Sequence, residues 1–152
     1  MDTTADARAL PYLLLALSGE LVAGIQAGGA DRGFGDVRPA HGFAFARLAA
    51  APATAGELAE HLGVTKQAAS QLVEELVGKG YLERHPHPSD ARARLIALTE
   101  RGWACTRAAD AAAADAVRPW IAALGPERFN ALVTDLSALA ALGPKGPIRP
   151  TW

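Results

Sequence analysis

Between Thr54 and Gly102 the apolar residues recur first at helical and then at extended spacing, and these periods mark out the elements. Leu58, Ala59 and Leu62 share one helical stripe, and Ala69, Leu72, Val73, Leu76 and Val77 share another. Spacings of three and four residues put side chains on a common helix face. Thr54 followed by Glu57 predicts a capping box, in which the hydroxyl accepts the amide three residues on and the carboxylate reaches back to the threonine N–H. Gly63 ends the first helix where a left-handed conformation is cheap, Thr65 caps the second, and Gly80 closes it. The short turn Gly63-Val64-Thr65 suits a helix-turn-helix. Tyr81 to His85 can then run extended, Pro86 and Pro88 forbid further pairing, and the chain returns through Arg94 to Leu98, so the pattern predicts a hairpin tip at 88–93.

Outside this stretch the pattern is helical. Leu10, Leu13, Leu14, Leu17, Leu21 and Ile25 form a stripe over Ala9 to Ile25. The run resembles a membrane span or signal peptide, but Asp2 and Asp6 stand where a signal carries cations and Glu20 interrupts it, so a buried amphipathic helix with a packing partner is expected. Residues 28–35, GGADRGFG, read as a flexible connection. They are no dinucleotide fingerprint, because Ala30 breaks the glycine pattern and no strand precedes. A helix from Pro39 should turn Phe43, Leu48 or Phe45 to the core and end before Pro52. Thr99 can cap an Ala-rich helix over about Glu100 to Ala123, bent by Pro119. Gly125-Pro126 separates it from a last helix striped by Phe129, Leu132, Val133, Leu136, Leu139 and Ala140. Gly143-Pro144 ends that helix, and the tail to Trp152 is Pro-rich.

With the apolar stripe of the 66–78 region turned inward, Lys66, Gln67, Ser70, Gln71 and Glu74 remain outside. The first four lie in the opening turns, where a recognition helix meets base edges. Glutamine can pair bidentately with adenine, lysine reaches guanine or phosphate, and serine bonds either. At the hairpin tip, Arg92 can enter a narrow minor groove, where the potential is most negative. Asp90 is placed to hold that guanidinium in a fork, and Arg94 supplies a second cation for phosphate.

The segments ELAEHLGVTKQAASQLVEELVGKGYLER and DARARLIALTERG, with their Asp-x-Arg and closing Leu-Thr-x-x-Gly, resemble the MarR family of bacterial transcription factors (multiple antibiotic resistance regulators). The resemblance is close over the middle third of the chain and extends to the flanking helices by layout. It implies a mainly α fold, a winged helix-turn-helix with a two-stranded β-wing and flanking dimerisation helices. The corresponding boundaries are residues 1–30 for an N-terminal dimerisation helix, 36–102 for the winged DNA-binding domain, 103–143 for C-terminal dimerisation helices and 144–152 for the tail. It further implies a cytoplasmic, ligand-responsive homodimeric repressor on a short inverted repeat, since two-fold DNA sites call for a two-fold protein. The expected DNA-contacting set is Thr54, Thr65, Lys66, Gln67, Ser70, Gln71, Asp90, Arg92 and Arg94. Family members often take a small aromatic or anionic effector between the dimer helices and the reader, and Tyr12, His41, Phe45, Arg47 and Trp103 are the candidates to line such a site. Aromatics at helical spacing and a lone histidine are more often plain core or surface than ligand contacts.

Composition bounds these readings. The 152 residues suit one domain with an oligomerisation region, and half of them are apolar. The net charge is −1. Within Thr54–Gly102, six cations face seven carboxylates, again a net of −1. DNA binding must therefore rest on placed groups rather than a broad basic surface, and a winged-helix interaction module without specific DNA binding is the rival reading. Cys105 is the single cysteine. It admits no intramolecular disulfide, and it is either an inert structural thiol or the sensor of a redox-responsive regulator. His85-x-His87 near Asp90 lacks a fourth metal ligand. No cofactor, metal or enzymatic activity is expected, for no phosphate loop, nucleophile elbow or catalytic carboxylate pair is present.

Overall fold

The computed structural model describes residues 3–142; the expected helix end at Gly143-Pro144 and the Pro-rich tail lie outside them. Six helices and one hairpin follow in the order α1 (Thr3–Asp31), α2 (Pro39–Ala50), α3 (Ala55–Leu62), α4 (Lys66–Gly78), β1 (Leu82–Pro86), β2 (Arg94–Leu98), α5 (Glu100–Leu124) and α6 (Pro126–Leu142). The chain is mainly α, with a winged helix-turn-helix between flanking helices.

The caps form as the sequence predicts. Thr54 N–H donates to Glu57 Oε2 at 2.7 Å while Glu57 N–H donates to Thr54 Oγ1 at 3.2 Å. Thr65 Oγ1 accepts from Ala68 N–H and Thr99 Oγ1 from Gly102 N–H, each at 3.1 Å. Three helices end in the same way. Gly33, Gly63 and Gly80 all have positive φ, and the residues after them, Phe34, Val64 and Tyr81, donate back to Gly29, Ala59 and Leu76. These are Schellman ends, which satisfy carbonyls the helix itself leaves orphaned.

Two expectations change here. Residues 28–31 are not a loop: α1 continues through Gly28 and Gly29 to Asp31. The cause is the approach of α5, since a Cβ at Gly28 would stand 2.6 Å from the Ala112 Cβ, and one at Gly24 3.1 Å from the Ala116 Cβ. Arg32 then locks the junction, donating to Gly28 O at 2.8 Å and to Asp115 at 2.7 Å. Tyr81, read as extended, instead ends α4 and is fully buried, its hydroxyl donating to Asp36 Oδ1 at 2.6 Å.

Strands β1 and β2 are antiparallel in the register Leu82↔Leu98, Arg84↔Ile96, Pro86↔Arg94. Pro86 therefore closes the ladder instead of lying beyond it. A two-stranded ribbon tolerates this because the missing N–H falls at a strand end. Ala53 adds a bridge on the other edge, exchanging both backbone bonds with Ile96 at 2.8 and 3.1 Å. This third segment had no signature in the side-chain pattern.

The core joins Phe45 and Leu48 of α2, Leu58 and Leu62 of α3, Val73 and Leu76 of α4, Tyr81, Leu82, Ile96, Leu98 and Cys105. Gly102 sits against it so closely that a Cβ would lie 2.3 Å from Tyr81 O. The stripe on α1 behaves otherwise. Leu10, Leu13, Leu14, Leu15 and Leu17 are 37–66% exposed in the single chain, so the expected burial of this helix is not met within one chain. Ala7–Asp31 is long and apolar enough to cross a membrane by length and composition. On α6, Val133, Leu136, Leu139 and Leu142 are exposed as well.

Candidate nucleic-acid interface

Helix α4 is set by its apolar side. Ala69, Val73 and Leu76 are buried, which leaves Lys66, Gln67, Gln71 and Glu74 exposed and Ser70 half-buried at the edge of that face. Thr54 and Thr65 spend their hydroxyls on helix caps. Lys66, Gln67, Gln71 and the methyl of Thr65 thus crowd the opening of α4.

The wing places its charges differently from the fork that the sequence suggested. Asp90 Oδ1 accepts the backbone N–H of Arg92 at 2.9 Å, and its carbonyl accepts Ala93 N–H at 3.1 Å. The carboxylate folds the tip as an Asx-turn and leaves the Arg92 guanidinium exposed, without an ion pair among the described residues. Arg94 is likewise exposed on the last ladder pair. His85 is paired with Glu83 at 3.0 Å and His87 Nδ1 accepts Ser89 N–H at 3.2 Å. Among the described residues no group of three or more His, Cys, Asp or Glu is arranged to hold a metal.

Ion pairing sorts the six cations of the reading segment. Arg84 meets Glu74 at 2.5 Å, Lys79 meets Glu75 at 2.9 Å, and Arg101 lies 3.8 Å from Asp36. Among the described residues Lys66, Arg92 and Arg94 are the cations of this segment left without an ion pair, all at the α4 opening or on the wing. The near-zero net charge therefore conceals a separation, with anions absorbed by caps and pairs and three cations on one working surface. Glu57 shows the absorption directly: the Thr54 backbone N–H bonded to its carboxylate holds its pKa below the usual value.

Behind α4 lies a polar network that no local pattern announces. Arg38 Nη2 meets Glu75 Oε2 at 2.6 Å. His41, fully buried on α2, accepts Arg38 N–H on Nδ1 at 3.1 Å and turns Nε2 toward Glu75 Oε1 at 3.5 Å. Burial pushes the His41 pKa down, with Glu75 opposing. The Lys79 hydrogen bond lowers the Glu75 pKa. Lys79 also donates to Asp36 O at 2.8 Å, and Arg101 sits 4.5 Å over the Tyr81 ring. Burial raises the Tyr81 pKa, and the Tyr81 hydroxyl lowers that of Asp36. The bonds of Arg38 to Glu75, Lys79 to Asp36 and Tyr81 to Asp36 join residues 37 to 45 apart in sequence, so spacing could not reveal them.

The five candidate effector residues do not converge. Tyr12 is 76% exposed far along α1, His41 and Phe45 are core, and Trp103 is 39% exposed on α5. Phe45 stacks at 5.6 Å on Tyr81. Arg47 alone lines the main crevice, a space of about 470 Å³ among α1, α2, α3 and α5 whose walls include Val22, Ile25, Gln26, Phe43 and Asp110. The Cys105 thiol is buried, and desolvation raises its pKa to about 11. It is held as the unreactive thiol at neutral pH.

Residues 36–93 match the MarR family. No curated protein sequence matches the chain. Among solved structures, RV1404 from Mycobacterium tuberculosis aligns over 95% of this chain and 97% of its own, with 23% identity and a TM-score of 0.77. A mutant MarR from E. coli complexed with operator DNA aligns over 91% of this chain and 99% of its own, at 23% identity and TM-score 0.68. A probable transcriptional regulator from Pseudomonas aeruginosa aligns over 85% and 95%, at 25% identity and TM-score 0.65. The fold is thus shared along the chain's length, and residues 36–93, which hold the helix-turn-helix and the outgoing strand of its wing, are the part of the chain that matches the MarR family.

Proposed function

We propose that this protein is a DNA-binding transcription regulator acting as a homodimer on an inverted repeat. The observation that carries the reading is the placement of charge: Lys66, Arg92 and Arg94, the cations of the reading segment left outside ion pairs, flank an exposed Gln67 and Gln71 at the start of a doubly capped helix-turn-helix. Lys66, Gln67, Ser70 and Gln71 address the major groove, Arg92 the minor groove and Arg94 the phosphates. Thr54 and Thr65 shape the surface through their caps, and Asp90 shapes the wing tip. The MarR bound to operator DNA has this fold over nearly its full length, which supports the docking mode.

The uncovered leucines of α1 and the exposed apolar face of α6 supply a surface for a second copy. On this reading residues 1–30 and 103–143 dimerise and 36–102 read DNA. The crevice between α2 and the flanking helices is the effector site, and occupation of it lowers operator affinity, as in a repressor acting in the cytoplasm.

Random-site selection with the purified protein, followed by anisotropy titration across salt, tests the reading. A two-fold site preferred over scrambled duplex, with log affinity falling as log salt rises, is expected. Absence of both sequence preference and salt slope would establish the interaction-module reading instead.

A further inference from the structure

The crevice that Arg47 lines carries an imbalance of charge. Its walls are mostly apolar, with Val22 and Ile25 from α1 and Phe43 from α2. Three ionisable side chains enter the lining, Arg47, His61 and Asp110, and the circumstances of Arg47 and Asp110 differ. Arg47 donates to Ala51 O, beyond the last turn of α2, at 3.0 Å, and lies near enough to Glu57 to favour that carboxylate's charge. Its guanidinium is thus already engaged by a helix-end carbonyl. Asp110 has no hydrogen bond and no ion pair among the described residues. The contrast along α5 is sharp, because Asp115, five positions on, is engaged by both Arg32 and Arg118.

An apolar cavity of this size with one uncompensated carboxylate favours a ligand with a hydrophobic body and a positive charge. Apolar walls supply affinity through area removed from water. The aromatic ring of Phe43 adds a surface whose quadrupole attracts cations and repels anions. An anionic ligand would meet the carboxylate of Asp110 and would have to take Arg47 from the Ala51 carbonyl. Resting on the reading of this crevice as the effector site, we infer that the effector is a lipophilic cation, selected by Asp110, rather than one of the anionic molecules that the family resemblance admits.

The test uses two probes of matched shape and opposite charge, tetraphenylphosphonium and tetraphenylborate, titrated calorimetrically into the full-length protein. The phosphonium is expected to bind roughly tenfold more tightly, the scale of one charge pair near a protein surface. Asp110→Asn should remove that preference while circular dichroism and oligomeric state stay unchanged, as suits an exposed side chain without internal bonds. Equal binding of the two probes, or tighter binding of the borate, overturns the cationic class while leaving the crevice as a ligand site. A preference that survives Asp110→Asn overturns the role of Asp110. If neither probe binds, the crevice reading fails and takes the inference with it.

Discussion

At the wing tip, Asp90 holds the Arg92 amide and leaves the guanidinium facing solvent, so removal of that side chain disturbs little inside the protein. Arg92→Ala should weaken operator binding by ~1–3 kcal/mol, the range for a lost groove contact, with unchanged thermal unfolding. An anisotropy titration that shows wild-type affinity would remove the wing from the interface. His41 makes a second residue-scale prediction. Its pKa lies below the ordinary 6.5 because the ring is buried, so the unfolded chain takes up a proton before the folded one does. Stability is therefore full above about 6.5, declines as the pH falls below that value and stops declining, on this account, once the folded-state pKa is passed. Urea unfolding of the wild type and His41→Gln across this window checks it, and a pH slope unchanged by the substitution would show that His41 is not its source. Residue roles of this kind were half legible. The exposed set on α4 follows from knowing which side is apolar, whereas His41 reads as a ligand candidate because nothing near it in sequence announces Glu75.

The elements owe their ends to local chemistry and one of their lengths to a neighbour. Thr54, Thr65, Thr99, Gly63 and Gly80 act within their own turns, and could be read directly. Gly28 and Gly29 could not, because two glycines argue for a loop until α5 is known to press on Gly28. There the absence of a Cβ lets two backbones approach, and the gain in contact outweighs the roughly 1 kcal/mol per residue that glycine costs a helix. Gly28→Leu should accordingly destabilise the protein by ~1–3 kcal/mol, as overpacking does, and loosen α1 from α5. Hydrogen exchange localised to residues 20–31 and 108–118 would report it; uniform protection with unchanged stability would deny the close contact its role. Thr54→Ala offers a comparison of known type, a lost cap worth ~1 kcal/mol, measured by the same unfolding experiment.

For the whole molecule the question is what covers α1. Its C-terminal half is docked on α5 through Gly24, Gly28 and the Arg32–Asp115 pair, while its leucines look outward. On the proposed reading a second copy buries that surface and sets two α4 helices for the two halves of one site. The double substitution Leu13→Glu with Leu17→Glu should yield monomers in sedimentation equilibrium, and should reduce affinity for the two-fold site by roughly 100-fold through loss of avidity, while leaving the helix content intact. Monomeric wild-type protein at micromolar concentration, or a double variant that still dimerises, would assign the leucines to another role.

The sequence alone determined the helix-turn-helix, its caps and the face it shows, because those depend on contacts within four residues and on a period that burial imposes. It also determined that charge must be placed rather than abundant, since six cations against seven carboxylates leave no basic field. Which cations stay free was settled only in three dimensions, as were the Asx-turn at Asp90, the third bridge at Ala53, the network behind α4 and the crevice with its unpaired Asp110. Each of these depends on groups brought together by the packing of separate elements or by the closing of a loop, and a one-dimensional pattern carries no record of which distant partner will arrive.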